Sequence, residues 1–446
     1  MTKLRLLVGL VASTLFLTAC PPPGNGLDGG GDGGADAGTG DGGCGGQFCV
    51  QEVEGATGAE AKPLEAVLLP GDRIAIAYYH QGPAATDGGF ELRYREWNAG
   101  VVSAPTTVDT VHRVVGLGMG VTPGGEPAVS YLGGNYPSTE HAFWFQNDQY
   151  LAYRQGGGWQ TTVVAEESGE AATGVPVSDL GFLVGLHSDV AFNGSDVFVV
   201  WRDCHNGQFP QQDWQGSDLE VARGTLTGLA DKRVIVASDG DTIGKQGFAG
   251  HNRMIIADGQ PVVVGDKMGG GADTIGSGTA VFRRNADGSW TPPEEPFGAV
   301  ANTQSGPVIA WDSTLGYAVA VVDTNTNLLR YVRSTSPTSI DTWATPENVV
   351  QSGTSGWYPS IAIDPLFHEP HIAYYHCDNR TSIAAHQCRE SDDELRIIAR
   401  IGSNWRDTVV DRAGGYQPKL LFLSTGKRAV VYRDPRTYAV KLALEP

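Results

Sequence analysis

The stretches SDVAFNGSDVFVVWRD (188–203), PSIAIDPLFHEPHIAYYH (359–376) and PKLLFLSTGKRAVVYRD (418–434) share one pattern. A short apolar run leads into a Gly, Asp or Pro turn, and a longer alternating run follows, ending in a polar residue. Alternation at period two between turn residues is the signature of half-buried antiparallel strands. Looser copies are AVLLPGDRIAIAYYH (66–80), GLGMGVTPGGEPAVSYL (116–132), NRMIIADGQPVVVGD (252–266) and PVIAWDSTLGYAVAVVD (307–323). Most are followed by a third strand and a turn carrying Trp, as in AYRQGGGWQTTVV and IARIGSNWRDTVV, and then by a fourth strand.

Seven copies begin near 64, 117, 187, 251, 305, 357 and 416, a pitch of roughly 59 residues. Four antiparallel strands at such a pitch form the blade of a β-propeller. The expected fold is therefore all-β, a seven-bladed propeller over 47–446. A six-bladed count stays open because the copy at 251–300 is irregular. The last copy has room for three strands, ending in AVKLAL (439–444), and FCVQEVE (48–54) is left unpaired at the front. Pairing the two would close the ring and remove an exposed sheet edge.

Composition agrees. The chain of 446 residues carries 61 Gly and 25 Pro, only 18% charged residues, and a net charge of −19. Glycine weakens helix interiors, and a phosphate-backbone partner needs clustered Lys and Arg, so nucleic acid is not an expected partner.

The first fifty residues read differently. Lys3 and Arg5 precede the apolar run Leu6 to Leu17, too short to span a bilayer and suited to a signal peptide over 1–19. Leu17-Thr18-Ala19-Cys20 resembles the lipobox of bacterial lipoproteins. That resemblance implies cleavage before Cys20 and acylation of it, hence a membrane anchor. Position 21 is Pro rather than Asp, which by the same resemblance points to the outer membrane or cell surface. Residues 20–46 hold 13 Gly, four Asp and almost nothing apolar. Such a segment cannot bury enough surface to order itself and is expected to be a disordered linker, with a reach on the order of 25–30 Å.

With Cys20 acylated, five cysteines remain in an exported protein, where disulfides are expected. Cys44 and Cys49 could staple the end of the linker, and Cys377 and Cys388 could close one loop. Cys204 is left over. No C-x-x-C pair exists for a zinc ribbon or thioredoxin site.

The Trp-bearing turns resemble the Asp-box of sialidase-like, or BNR-repeat, propellers. Ser336, Asp341, Thr342 and Trp343 come closest, and Asn285, Asp287, Gly288, Ser289 and Trp290 form a weaker copy. In that family the box is a structural turn, so the resemblance speaks for fold. It further implies that the ends of the second strands meet the ligand-binding face, which singles out His80, Asp203, Asp323, His376 and Asp434. Starts of first strands, His187, His251, Trp357, Tyr358 and Tyr416, would lie on the same face nearer the axis. Repetition of AYYH (77–80, 373–376) and of aromatic-Arg-Asp (201–203, 432–434) favours structural work for these residues. The long loops 133–149, 166–187 and 204–217, with Trp144, Tyr136, Trp214 and Phe209, are further contact candidates.

Catalytic motifs are thin. His368-Glu369-Pro370-His371 is one residue short of H-E-x-x-H and holds a helix-breaking Pro. Asp323-Thr-Asn325-Thr-Asn327 lacks the Gly and Glu of an EF-hand, leaving at most a weak calcium site; no other cofactor is expected. The Arg-Ile-Pro motif of sialidases has no counterpart, since Arg73-Ile74 precedes Ala75. No catalytic residue stands out. The expected function is non-catalytic binding of a protein or glycan partner, and the alternative is a glycosidase or polysaccharide lyase.

Overall fold

The computed structural model describes residues 47–58, 62–81, 89–111, 114–133, 148–165, 184–203, 218–236, 247–268, 278–298, 306–323, 326, 328–350, 354–377 and 393–446. Over these residues the protein is a seven-bladed β-propeller. Each blade is an antiparallel sheet whose strands run outward from the axis in sequence order, except that the outermost strand of the last blade comes from the N-terminal side. The innermost strands are Leu64–Leu69, Gly118–Val121, Val184–Asn193, Gly247–Ala257, Val308–Asp312, Thr354–Ile363 and Tyr416–Phe422. Each touches the innermost strands on either side of it, so the contacts run round a closed circle.

Second strands are the most buried. Asp196–Asp203, Gly316–Asp323 and Pro370–Cys377 are apolar almost throughout because a blade packs on both of its faces. Apolar side chains on facing sheets form one core for each pair of neighbours, seven in all. The core joining blades 7 and 1, for example, sets Ile74, Ile76 and Tyr78 against Ala429, Val431, Val440 and Leu442.

Closure follows the expected route. Strand Cys49–Glu54 pairs antiparallel with Val440–Leu444 and becomes the outer strand of the last blade. Val53 sinks into the core between blades 7 and 1, and Glu54 accepts a hydrogen bond of 2.6 Å from Tyr78 of blade 1. Arg433, fully buried, completes the join. Its guanidinium donates to the carbonyls of Lys62, Tyr79 and Tyr438 and to the Thr57 hydroxyl at 2.8–3.1 Å. Burial lowers its pKa to about 10, which leaves it charged at neutral pH.

Three blades depart from four full strands. In blade 1 the outer strand is split into Val101–Val102 and Thr106–Val111, both paired with Phe90–Asn98. In blade 4 the outer strand is replaced by two isolated bridges, Arg284↔Trp290 and Val281↔Glu294. The segment Thr291-Pro-Pro-Glu-Glu-Pro296 explains this, since each proline lacks the N–H a ladder needs. In blade 5 the outer strand shrinks to Glu347–Asn348. The irregular copy at 251–300 is therefore a blade with a reduced outer edge, and the count is seven.

Cys49 lies in the closing strand and Cys377 ends the second strand of blade 6; neither is a free thiol. Cys20, Cys44, Cys204 and Cys388, the signal peptide and the linker lie outside the described residues. No helix among the described residues is long and apolar enough to cross a membrane.

Replacing Arg433 with Met should take a donor from the carbonyls of Lys62 and Tyr79, while that of Tyr438 keeps the Thr57 hydroxyl, and cost about 3 kcal/mol. Tyr78→Phe, which removes one hydrogen bond to the closing strand, should cost about 1 kcal/mol. Chemical denaturation of the two variants checks the ranking; equal, negligible losses would contradict the join described.

Candidate functional site

The site is built by a backbone irregularity at the entrance to most innermost strands. Leu186 pairs with Arg202 and Asp189 with Val200, so His187 and Ser188 bulge opposite Trp201 alone. The same slip sets Tyr358 and Pro359 opposite Tyr374, and Gln417 and Pro418 opposite Tyr432. Bulges of this kind re-aim side chains at barrel and propeller rims. The bulged residues His187, His251, Tyr358 and Gln417 have φ of 50–54°, a left-handed conformation uncommon for residues with a Cβ. In blades 2 and 5 the corresponding residues are Gly116 and Gly306. A Cβ on Gly306 would stand 2.4 Å from the Cβ of His251, and one on Gly116 would stand 2.5 Å from the Cα of His187. These two glycines let the next residue of the ring come close.

The ring surrounds an axial pocket of about 310 Å³ to which all seven blades contribute. His187 and His251 meet with ring centroids 4.4 Å apart. His251 Nδ1 lies 2.9 Å from Oδ2 of Asp266, a buried carboxylate that orients the imidazole. His187 titrates well below the ordinary histidine range because it is ringed by protein, with His251, Arg202 and Arg253 adding repulsion.

Below the lip lies a charge cluster that crosses the axis. Glu65 of blade 1 accepts from Arg253 of blade 4 and from Lys419 of blade 7, both at 2.6 Å. Asp189 of blade 3 accepts from the backbone amides of Val190 and Met254 at 2.9 and 2.8 Å. Burial raises the Asp189 pKa to about 6, against the pull of Arg253. Burial, with Arg253 alongside, lowers Lys419 to about 8 despite its pairing with Glu65.

Two lining residues are not matched. Asn252 is 2% exposed and Ser188 is 1% exposed. Neither the Asn252 carboxamide, through oxygen or nitrogen, nor the Ser188 hydroxyl finds a hydrogen-bond partner in the protein. Both residues line the axial pocket. Buried polar groups left open are rare and costly.

Of the residues expected at the site, His187, His251 and Tyr358 line this pocket. Trp357 and Tyr416 instead pack with Val322 and Tyr375 in a cluster between blades. Asp434 is engaged in its own turn: it accepts from the amides of Arg436 and Thr437 and from Lys441. Asp203 and His376 are buried at strand ends beside Asp218 and Glu394. His80 sits across from Glu91, its Nδ1 buried without a partner and its pKa lowered by burial and by Arg93. His368 reaches Asp312 of the neighbouring blade from a turn, and His371 is a core residue packed on Phe422, so the His-Glu-Pro-His segment builds no metal site. Among the described residues no group of three or more His, Cys, Asp or Glu is placed to hold a metal ion. Trp343 packs on the core of blades 4 and 5, and Trp290 on that of blades 3 and 4. The loop residues Tyr136, Trp144, Phe209 and Trp214 lie outside the described residues, as does most of Asp323–Asn327.

The unmatched groups Ser188 and Asn252, and the cluster of Glu65, Arg253, Lys419 and Asp189, carry no motif. Their one signal is position, one to three residues beyond the ring residue.

No protein-family model matches the chain, and no curated protein matches it by sequence. Among solved structures, the NanB sialidase of Streptococcus pneumoniae is similar at 10% identity and a TM-score of 0.47, covering 90% of this chain and 71% of its own. The α-L-arabinofuranosidase Arb93A of Fusarium graminearum gives 11% identity and a TM-score of 0.48, with 90% and 98% covered. A leech intramolecular trans-sialidase gives 8% identity and 0.44, with 90% and 91% covered.

The charge cluster sets a pH signature. Lys419 titrates lower in the folded chain than in the unfolded one, so between about pH 8 and 10.5 the unfolded chain holds more protons. Stability contributed by this site should rise with pH across that window. Asp189, raised from 3.8 to about 6, should make stability fall as pH rises through its own window. Lys419→Met should abolish the alkaline rise in denaturation midpoint; an unchanged rise would show that Lys419 is not its source.

Proposed function

We propose that the protein is a lipid-anchored lipoprotein of the outer membrane or cell surface whose propeller binds a glycan, without catalysis, at the axial pocket. Cys20 carries the acyl chains, residues 20–46 supply the reach, and the pairs Cys44–Cys49 and Cys377–Cys388 staple the base and one rim loop. A protein ligand presenting a glycan would engage the same mouth.

The observation that carries the binding reading is the composition of the pocket wall. It holds imidazoles, amides, a tyrosine, a serine and the cations Lys62, Arg253 and Lys419, but no aspartate or glutamate among the described lining residues. Hydrolysis of a glycosidic bond ordinarily uses two carboxylates flanking the scissile bond. Here the nearby acids are engaged: Glu65 by Arg253 and Lys419, Asp266 by His251, and Asp189 by the backbone amides of Val190 and Met254.

A second reading, a glycosidase or lyase, is favoured by the Asp266–His251 hydrogen bond alone. A histidine oriented by a buried carboxylate is the usual form of a general base.

A glycan array probed with the full chain in detergent separates the two. Retention of glycans with no release of reducing ends supports binding. Turnover that His251→Ala reduces by about 100-fold or more would replace it with the enzymatic reading. Absence of both would remove both. Independently, Cys20→Ser should shift the chain from the membrane fraction to the soluble one; unchanged membrane retention would contradict the anchor.

A further inference from the structure

The charges beside the axial pocket decide what kind of glycan it accepts. Arg253 and Lys419 reach the wall, and an acidic sugar would seem the natural guest for a pocket with two cations. The hydrogen bonds show otherwise. Glu65 already accepts from both at 2.6 Å, and Asp189 lies against Arg253 and Lys419 as a further negative charge. Two cations are thus balanced by two carboxylates at neutral pH. Lys62 also lines the pocket and keeps its charge, its ammonium 5.3 Å from the centre of the Phe90 ring in a cation–π contact. Arg202, buried with Nε and Nη2 unpaired, is absent from the pocket wall, and the buried Asp266 offsets its charge.

The two lining side chains left without a hydrogen-bond partner, Asn252 and Ser188, are neutral. The Asn252 carboxamide offers a donor and an acceptor, and the Ser188 hydroxyl offers both. Sugar hydroxyls likewise donate and accept, and they match such groups without bringing a charge that must be desolvated. Tyr358 and the paired imidazoles of His187 and His251 supply ring faces at the lip.

We propose that the axial pocket is a selective site for the end of an uncharged saccharide, held through Asn252 and Ser188, and that the Glu65 bridge withholds Arg253 and Lys419 from acidic sugars. The inference rests on the glycan-binding reading and sharpens it. Removing Glu65 would free two cations toward the pocket, so a single carboxylate sets the preference.

Isothermal titration of the full chain in detergent tests this with two panels. One holds neutral methyl hexosides and pentosides and their disaccharides; the other holds glucuronate, galacturonate and N-acetylneuraminate. The expected result is saturable binding of at least one neutral sugar, about tenfold or more tighter than any acidic one. Asn252→Ala and Ser188→Ala should each weaken it by about tenfold with an unchanged circular dichroism spectrum. Glu65→Gln should raise affinity for the acidic panel. Should that variant misfold, the Asn252 and Ser188 variants decide the matter. A wild-type preference for acidic sugars, or neutral binding indifferent to Asn252 and Ser188, would overturn this inference and leave the glycan reading standing. Binding of neither panel, together with an empty array, would overturn both.

Discussion

A propeller depends on its last blade meeting its first. In this chain that meeting is made by Arg433, a buried cation with four hydrogen bonds and no acidic partner among them. An unpaired charge in a protein interior is expensive unless its donors are used. Here the carbonyls of Lys62, Tyr79 and Tyr438 and the Thr57 hydroxyl use four of the five, and three of the four acceptors lie on the N-terminal side of the join. The guanidinium is stable only when the ring is shut, which couples its desolvation to closure. Strand Cys49–Glu54 then covers the outer edge of the last blade and hides Val53.

Closure fixes the geometry of the axis. Seven innermost strands converge there, and four of them, in blades 3, 4, 6 and 7, bring a short bulge whose left-handed residue turns at the mouth. Where neighbours press together the ring residue is glycine, as at Gly116 and Gly306. Elsewhere it is His187, His251, Tyr358 or Gln417, held in a conformation that costs energy for a residue with a Cβ. Side chains that sequence distance keeps far apart, Glu65, Asp189, Arg253 and Lys419, are brought by this convergence into one cluster. The site is thus a property of the ring and not of any one blade.

The architecture was legible in the sequence because strand alternation and turn residues recur at a regular pitch, and each copy alone reports the period. The closing strand was legible by counting: one spare strand at the front, one missing at the back. The reduced outer edge of blade 4 was written in Pro292, Pro293 and Pro296 but reads equally as a loop. The site was legible in part. His187, His251 and Tyr358 could be placed by their position at strand starts. The repeated motifs pointed elsewhere, because repetition marks shared structure. Tyr78 of the first AYYH bonds to Glu54 on the closing strand, and Tyr374 of the second bonds to Asp407. The aromatic-Arg-Asp triplets likewise split, Arg433 clamping the join while Arg202 stays partly unpaired. Glu65, Ser188, Asn252 and Lys419 were silent, since their meaning lies in contacts across the axis that no local pattern encodes.

The central claim is that the axial pocket, and not the rim, receives the ligand through two groups the protein itself leaves unmatched. The most direct measurement is a high-resolution crystal structure of the chain grown with a neutral oligosaccharide. The account requires density for a sugar on the axis, with hydroxyls within hydrogen-bond distance of both the Asn252 carboxamide and Ser188 Oγ. A sugar seated on the outer loops, or an axial pocket holding only water with Asn252 turned onto a protein acceptor, would contradict it.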